Sequence, residues 1–191
     1  MTNSEVGTRP GKRERLVAAA RTMLHEQGVE RTTIADIAHA ADVPVGNVYY
    51  YFKTKDELVA AVVGHYQQTY RTMVAGLDQR RTPKARLRGL IGTWVDRRES
   101  IAAHGCPIGS LCTELDKRPD QLGLDAAAIF TQLLDWIELQ FRELGRRDAR
   151  ELAVALLAAY EGIAVLANTL REPNLIVPEG RRLERWIDSL S

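Results

Sequence analysis

The densest chemistry in the chain lies between Thr32 and Leu58. Asn47 carries an amide that can bond a base edge. Tyr49 and Tyr50 carry phenolic hydroxyls on stiff stems, suited to phosphate oxygens. Lys55 adds a cation beside Thr54, where the free N–H groups of a helix start attract a phosphate. Pro44, Val45 and Gly46 allow close approach, and Val45 suits a thymine methyl group. Thr33, Pro44, Val45, Gly46, Asn47, Tyr49, Tyr50 and Lys55 therefore form one candidate set for reading a DNA major groove. The competing reading is a plain three-helix core with tyrosines packed for area. Polar, aromatic and small residues crowd a face that packing would fill with Leu and Ile, which favours DNA.

A second locus is His104-Gly105-Cys106-Pro107-Ile108-Gly109-Ser110-Leu111-Cys112. Gly105 and Pro107 mark a stop and a restart, so Cys106 is expected at a helix N-terminus, a position that lowers a thiol pKa. Most cysteines are instead small buried apolar residues. His104, Cys106 and Cys112 fit no zinc spacing and lack a fourth ligand, so no metal and no cofactor is expected. The four histidines, His25, His39, His65 and His104, are dispersed. None pairs by spacing with a cysteine or carboxylate in a catalytic motif, which argues against an enzyme.

The elements that must position these groups read as helices throughout. Lys12 to Gln27 buries Leu16, Ala20, Met23 and Leu24 and stops at Gly28. Ile34, Ile37, Ala38 and Ala41 make one helical face, capped by Thr32 or Thr33 with Asp36 in the first turn. Pro44 opens a short helix to about Tyr51, burying Val48 and Phe52. Thr54 caps a long helix from Lys55 to about Leu77, roughly 30 Å at 1.5 Å per residue. Further helices are expected at about 83–103, after Pro107, at 121–144, at 149–170 and at 179–190, with a turn at Arg118-Pro119-Asp120 and a loop from Glu172 to Pro178. The fold expected is all-α, of about nine helices. A three-helix helix-turn-helix domain is joined by the long helix to a larger helical ligand-binding and dimerisation domain. The boundaries are a flexible arm at 1–11, a DNA-binding domain at 12–58 and the second domain at 59–191.

The run Gly28-Val29-Glu30-Arg31-Thr32-Thr33-Ile34, then Ile37-Ala38, then Val43 through Leu58 (VPVGNVYYYFKTKDEL) resembles the DNA-binding domain of the tetracycline-repressor (TetR) family. The resemblance covers roughly residues 12 to 60. Asp42 stands where the family usually has Gly, and Asp tolerates the left-handed backbone better than most residues. Val45 stands where a polar or basic residue is frequent. The GCP-x-G-x-L-x-x-E pattern at Gly105–Glu114 is similar to a mid-domain helix of one TetR subgroup, some of whose members sense electrophiles or oxidants through such a cysteine. The resemblance implies a repressor that binds a palindromic operator as a dimer and is released by a small ligand or by cysteine modification. It also raises the prospect of a pocket. Tyr66, Tyr70, Trp94, Cys106, Leu111, Glu114, Phe130 and Leu133 are the candidate ligand-binding residues for an apolar or aromatic effector of unknown identity.

Composition sets the outer bounds. The chain has 191 residues, 45% hydrophobic and 27% charged, with a net charge of +1. Bulk charge therefore does not argue for nucleic acid, although Arg9, Lys12, Arg13 and Arg15 cluster at the front as a candidate arm along the backbone or minor groove. No apolar run is expected to span a membrane, and the N-terminus lacks the hydrophobic segment of a secretory signal. Two cysteines in a chain this long make no disulfide framework, which fits a reduced, cytoplasmic setting. The helices at 149–170 and 179–190 are expected to build a homodimer, because palindromic half-sites demand two readers about 34 Å apart. The competing classes are an all-α small-molecule or thiol-dependent enzyme and a ligand-independent DNA-binding protein.

Overall fold

The computed structural model describes residues 10–117 and 120–190. These residues form ten α-helices and one 3₁₀ turn, with no strand among them. The candidate arm ahead of Pro10, including Arg9, and the expected turn residues Arg118 and Pro119 lie outside the described residues. The chain divides into two compact units, one ending at Val62 and one beginning at Val63.

The first unit holds α1 (Lys12–Gln27), α2 (Ile34–Ala40), α3 (Val45–Tyr51) and the opening turns of α4 (Lys55–Asp78). Its core is Leu16, Ala20, Leu24, Ile37, Ala38, Val48, Phe52 and Leu58. Gly28 ends α1 at φ 86°, where a side chain would be strained. Thr33 is the cap of α2: its hydroxyl oxygen accepts the Asp36 N–H at 3.2 Å, and Asp36 accepts the Thr33 N–H in return. The alternative cap, Thr32, is fully buried and donates its hydroxyl to the Gly28 carbonyl at 2.7 Å. The left-handed turn expected at Asp42 is present, with φ 52°. Pro44 differs from expectation by one position: it caps α3 rather than opening it, with Asn47 N–H donating to its carbonyl at 2.8 Å.

The second unit holds the remainder of α4, then α5 (Pro83–Asp96), α6 (Arg98–His104), α7 (Pro107–Leu115), α8 (Gln121–Glu143), α9 (Ala149–Leu170), the 3₁₀ turn Pro173–Leu175 and α10 (Ile176–Ser189). Its core runs through Leu87, Leu90, Ile91, Ile101, Ile137, Phe141, Ala153, Leu156, Ala164 and Ile187. The helix expected over 83–103 is two helices, broken at Arg97, whose ψ of 8° leaves the helical range. The expected loop to Pro178 is also shorter. α10 begins at Ile176, and Pro178 lies in its first turn, where a missing N–H removes no helical bond.

Two further expectations are corrected. The apolar stripe of α10, expected to face a second copy, is turned inward instead: Leu183 and Ile187 are buried within the protomer, and Gly180 lets α10 approach Val95 and Ile91 of α5 closely. Each such burial contributes roughly 1.5–3 kcal/mol to the protomer itself. In addition, α9 is long and apolar enough to cross a membrane by length and composition alone, with a mean hydropathy of 1.6. Only 33% of that window is buried within the chain, because one side of the helix packs inward and the other does not.

Candidate functional site

In the first unit, α3 presents its outer face to solvent. Pro44, Val45, Gly46, Asn47, Tyr49 and Tyr50 are all exposed, while Val48 between them is fully buried and fixes the helix to the core. Tyr50 is 79% exposed, with its ring edge against Tyr51 at 5.0 Å. An exposed tyrosine pair on a seven-residue helix contributes little to folding, so its area and hydroxyls are available for a partner. A Cβ at Gly46 would meet nothing within 4 Å; the glycine there is not a packing requirement. Lys53 Nζ donates to the Tyr49 carbonyl at 2.7 Å and closes the C-terminus of α3. At the start of α4, Thr54 accepts the Glu57 N–H at 3.1 Å, and Lys55 Nζ donates to the Glu30 carbonyl at 3.3 Å. The Lys55 ammonium is thus held toward the body of the unit, with donors left over for a phosphate. Two braces were not legible from spacing: Arg13 lies over the Phe52 ring at 5.2 Å, and Arg15 pairs with Asp42 at 3.3 Å.

The second unit disperses the candidate ligand residues. Tyr70, Trp94, Cys106 and Leu133 lie in the main buried cluster, with Phe130 packed against its edge. Leu111 is buried, and Tyr66 and Glu114 are half-buried. A small cavity of ≈ 10 Å³, room for about one water, has Trp94 on its wall but none of the other seven. Trp94 stacks on Tyr160 with ring centroids 4.0 Å apart.

Cys106 does cap a helix, α7, and its sulfur accepts the Gly109 N–H at 3.4 Å. The expected lowering of its pKa is nevertheless corrected. Burial, then the charge of Glu161, pushes the thiol up to about 12, outweighing the Gly109 bond. Burial pushes Cys112 up to about 11, again with Glu161 as the next cause. At neutral pH neither is a thiolate to any useful extent, so neither is a ready nucleophile. Glu161 itself is raised by burial, partly offset by the Cys106 S–H that donates to it. One of its oxygens, Oε1, is buried with no partner, and the other would lie 2.6 Å from a Cβ at Gly109. Sequence reading passed over Glu161, although a lone acid in the middle of an apolar helix was the available signal. Among the described residues, no three His, Cys, Asp or Glu side chains are grouped to hold a metal.

Comparison with known proteins bears on both units. The sequence profile of bacterial regulatory proteins of the tetR family matches residues 16–62. A second profile, the C-terminal domain of LmrA/YxaF-like transcriptional regulators, matches residues 83–176. The chain belongs to the tetR family. Its relatives include the HTH-type transcriptional regulator TtgR of Pseudomonas putida, 26% identical over 93% of this chain and 88% of that protein. The HTH-type transcriptional repressor KstR2 of Mycolicibacterium smegmatis is 33% identical over 36% of this chain and 37% of its own. A TetR transcriptional regulator from Legionella pneumophila shares the fold with a TM-score of 0.84, at 17% identity over 95% of this chain and 97% of that one.

This tetR-family chain is therefore a DNA-binding transcriptional regulator with a helix-turn-helix domain, and not an enzyme. As a tetR-family protein it also leaves one conspicuous surface uncovered. Val154, Ala155, Ala158, Gly162, Val165 and Leu166 follow each other along one exposed face of α9. Val165 is 62% and Leu166 53% exposed. On α8, Leu139 is exposed, and Arg150 of α9 bonds Asp135 and Glu138 of α8 at 3.0 and 3.1 Å.

Proposed function

We propose that the protein is a repressor that binds a palindromic operator as a homodimer and is released by a small effector. The observation that carries the DNA half of this reading is the exposed face of α3. Asn47 is the base reader, Val45 touches a thymine methyl group, and Gly46 allows close approach. Tyr49, Tyr50, Thr33, Pro44 and Lys55 position the helix on the phosphates. The exposed apolar face of α9 supports the dimer. Small residues at Ala155, Ala158 and Gly162 let two helices approach, and α8 supplies the flank. A soluble monomer seldom leaves a contiguous apolar stripe of this kind open. A second copy covers it with apolar contact, and two-fold symmetry supplies the two copies of α3 that a palindrome requires.

The effector side rests on the large helical unit and on the family. Domains at 12–58 and 59–191, joined by α4, give the reader and the regulated part. The site of action is the cytoplasm, where operator DNA is. The buried Cys106 and the half-buried Cys112, both with raised thiol pKa values, argue for ligand binding over cysteine modification as the release signal. The decisive experiment is protection of the DNA upstream of the protein's own gene from nuclease cleavage, with salt varied and competitor DNA present. A two-fold symmetric footprint is expected. Binding that is abolished by competitor DNA at every salt concentration refutes the reading.

A further inference from the structure

α3 has seven residues, too few to persist as a helix without outside support. Pro44 gives it no side-chain cap, and Val48 is its one buried side chain. Its two ends are instead met by arginines from the first turn of α1, where Leu16 is fully buried and fixes the backbone. At the far end Phe52 closes α3, 3% exposed, with the Arg13 guanidinium over its ring at 5.2 Å. At the near end Asp42 joins α2 to α3. Its N–H donates to the His39 carbonyl at 3.0 Å, and the Val43 N–H donates to the Ala38 carbonyl at 2.9 Å, the crossed bonds of a Schellman turn. Asp42 Oδ2 then accepts from Arg15 Nη1 at 3.3 Å.

The near end is built against its own stability. At φ 52° a glycine would be unstrained, whereas an aspartate is strained. The ion pair does not offset this, because the Asp42 side chain is 81% exposed and such pairs are weak. The Arg15 end is different. Its side chain is 18% exposed, and its Nε is buried with no hydrogen-bond partner among the described residues. Packing therefore holds the guanidinium before the carboxylate meets it, so little rotamer freedom is left to lose. A pair with one rigid end fixes a direction more than it adds strength. Backbone strain kept beside a binding face is an argument for a role there.

We infer that Asp42 is a positioning residue for DNA reading: paired with Arg15, it holds the entry to α3 so that Asn47 meets one base edge. The Asn47 N–H donates to the Pro44 carbonyl at 2.8 Å, so a rotation at the turn is carried to Asn47. Without the pair α3 still forms, because Val48 and Phe52 keep it on the core. Its aim loosens. Hydrogen bonds to base edges fall off steeply with angle, while attraction to phosphates changes little over the same displacement. The loss therefore appears in sequence preference and not in affinity for DNA at large. The inference rests on α3 as the groove-reading helix with Asn47 as its base reader.

The test measures the affinity of the full-length protein for the upstream duplex protected in the footprint and for a scrambled duplex of equal length. Asp42→Gly and Arg15→Met should each lower the ratio of the two affinities by about two- to fivefold, the worth of one such pair. The double variant should fall no further than either single one, since the same pair is removed. Asp42→Gly should at the same time unfold at a higher temperature, a gain that a merely structural role would not set against a loss of preference. A second measurement needs no DNA. In free Asp42→Gly, amide hydrogen exchange over residues 45–51 should quicken by a similar factor while that over 34–40 does not. An unchanged ratio in Asp42→Gly, losses that multiply in the double variant, or unchanged exchange in α3 overturns the inference. If Arg15→Met impairs folding by circular dichroism, the glycine variant and its exchange decide. A wild type that does not distinguish the two duplexes refutes the operator reading, and the exchange then judges the pair by itself.

Discussion

Glu161→Gln isolates a buried, unpartnered carboxyl oxygen in the second unit. Its carboxyl is buried in α9 with Oε1 unpartnered, and burial raises its pKa above the ordinary value of 4.5. A carboxyl whose folded pKa is raised contributes its full stability below the unfolded pKa. That contribution is lost as pH rises toward the folded value. The loss runs at up to about 1.4 kcal/mol per pH unit until the group ionises in the folded state too. Glutamine keeps an unpartnered polar atom at the same place, so that cost is common to both proteins and the ionisation of the carboxyl alone separates them. The neighbours do not confuse the window. Burial pushes the Cys106 thiol, on the cap of α7, up to about 12 and the Cys112 thiol, on α7, up to about 11, and it raises the Tyr160 hydroxyl on α9 as well. Glutamine keeps the shape and an oxygen for the Cys106 S–H but cannot ionise. Thermal unfolding of both proteins from pH 4.5 to 8 should show curves that separate as pH rises. The variant should be more stable by about 1–3 kcal/mol at the alkaline end, on the order of 3–10 °C for a domain of this size. Parallel curves, or a variant less stable at every pH, would refute the claim that this carboxyl is a strained acid held in the core.

Further outcomes follow from other parts of the molecule. Asn47→Ala should weaken operator binding by about 1–3 kcal/mol and relax sequence preference, with the melting temperature unchanged; a gel shift against mutated half-sites measures both. Leu166→Glu with Val165→Glu should convert the dimer to a protomer of unchanged helicity in sedimentation, whereas the exposed α10 substitution Arg181→Glu should not. Asp42→Gly should stabilise the first unit and Asp42→Val destabilise it by about 1–2 kcal/mol, since φ is 52° and the Asp42 end of its pair with Arg15 is 81% exposed, which keeps that pair weak. Both cysteines should react slowly with an aromatic disulfide reagent at pH 7.5 and rapidly after denaturation, giving two thiols per chain; fast reaction of Cys106 in the native protein would contradict its burial.

What could be read along the chain was whatever a single helix decides for itself. The helix at Lys12–Gln27 with its Gly28 stop, the Asp42 turn, the Thr54 cap and the helix Ala149–Leu170 all rest on residues a few positions apart. Their physics is local, and so is that of the α3 face, where Val48 alone turns inward and its neighbours have nothing to pack on. Arg97 divides a helix that periodicity carries straight through, because the break leaves the apolar rhythm intact. Pro178 looked like a loop residue, yet a proline in a first helical turn forgoes no bond.

Tertiary structure decided the remainder, since it depends on what lies across from each side chain. Cys106 has the position of an activated thiol, but the depth of its burial beside Glu161 reverses the direction of its pKa. Both α9 and α10 carry an apolar stripe in sequence. Only packing shows that α10 spends its stripe on α5 while one face of α9 is left open. Gln67, Tyr70 and Trp136 are separated by as many as 69 positions and become one row of donors only when α8 lies along α4. Backbone preference and periodicity act within a few residues, so sequence alone writes the helices and the exposed face of α3. Burial and partnership are sums over neighbours that the fold brings together, and these decide the state of the thiol and which face of α9 stays open.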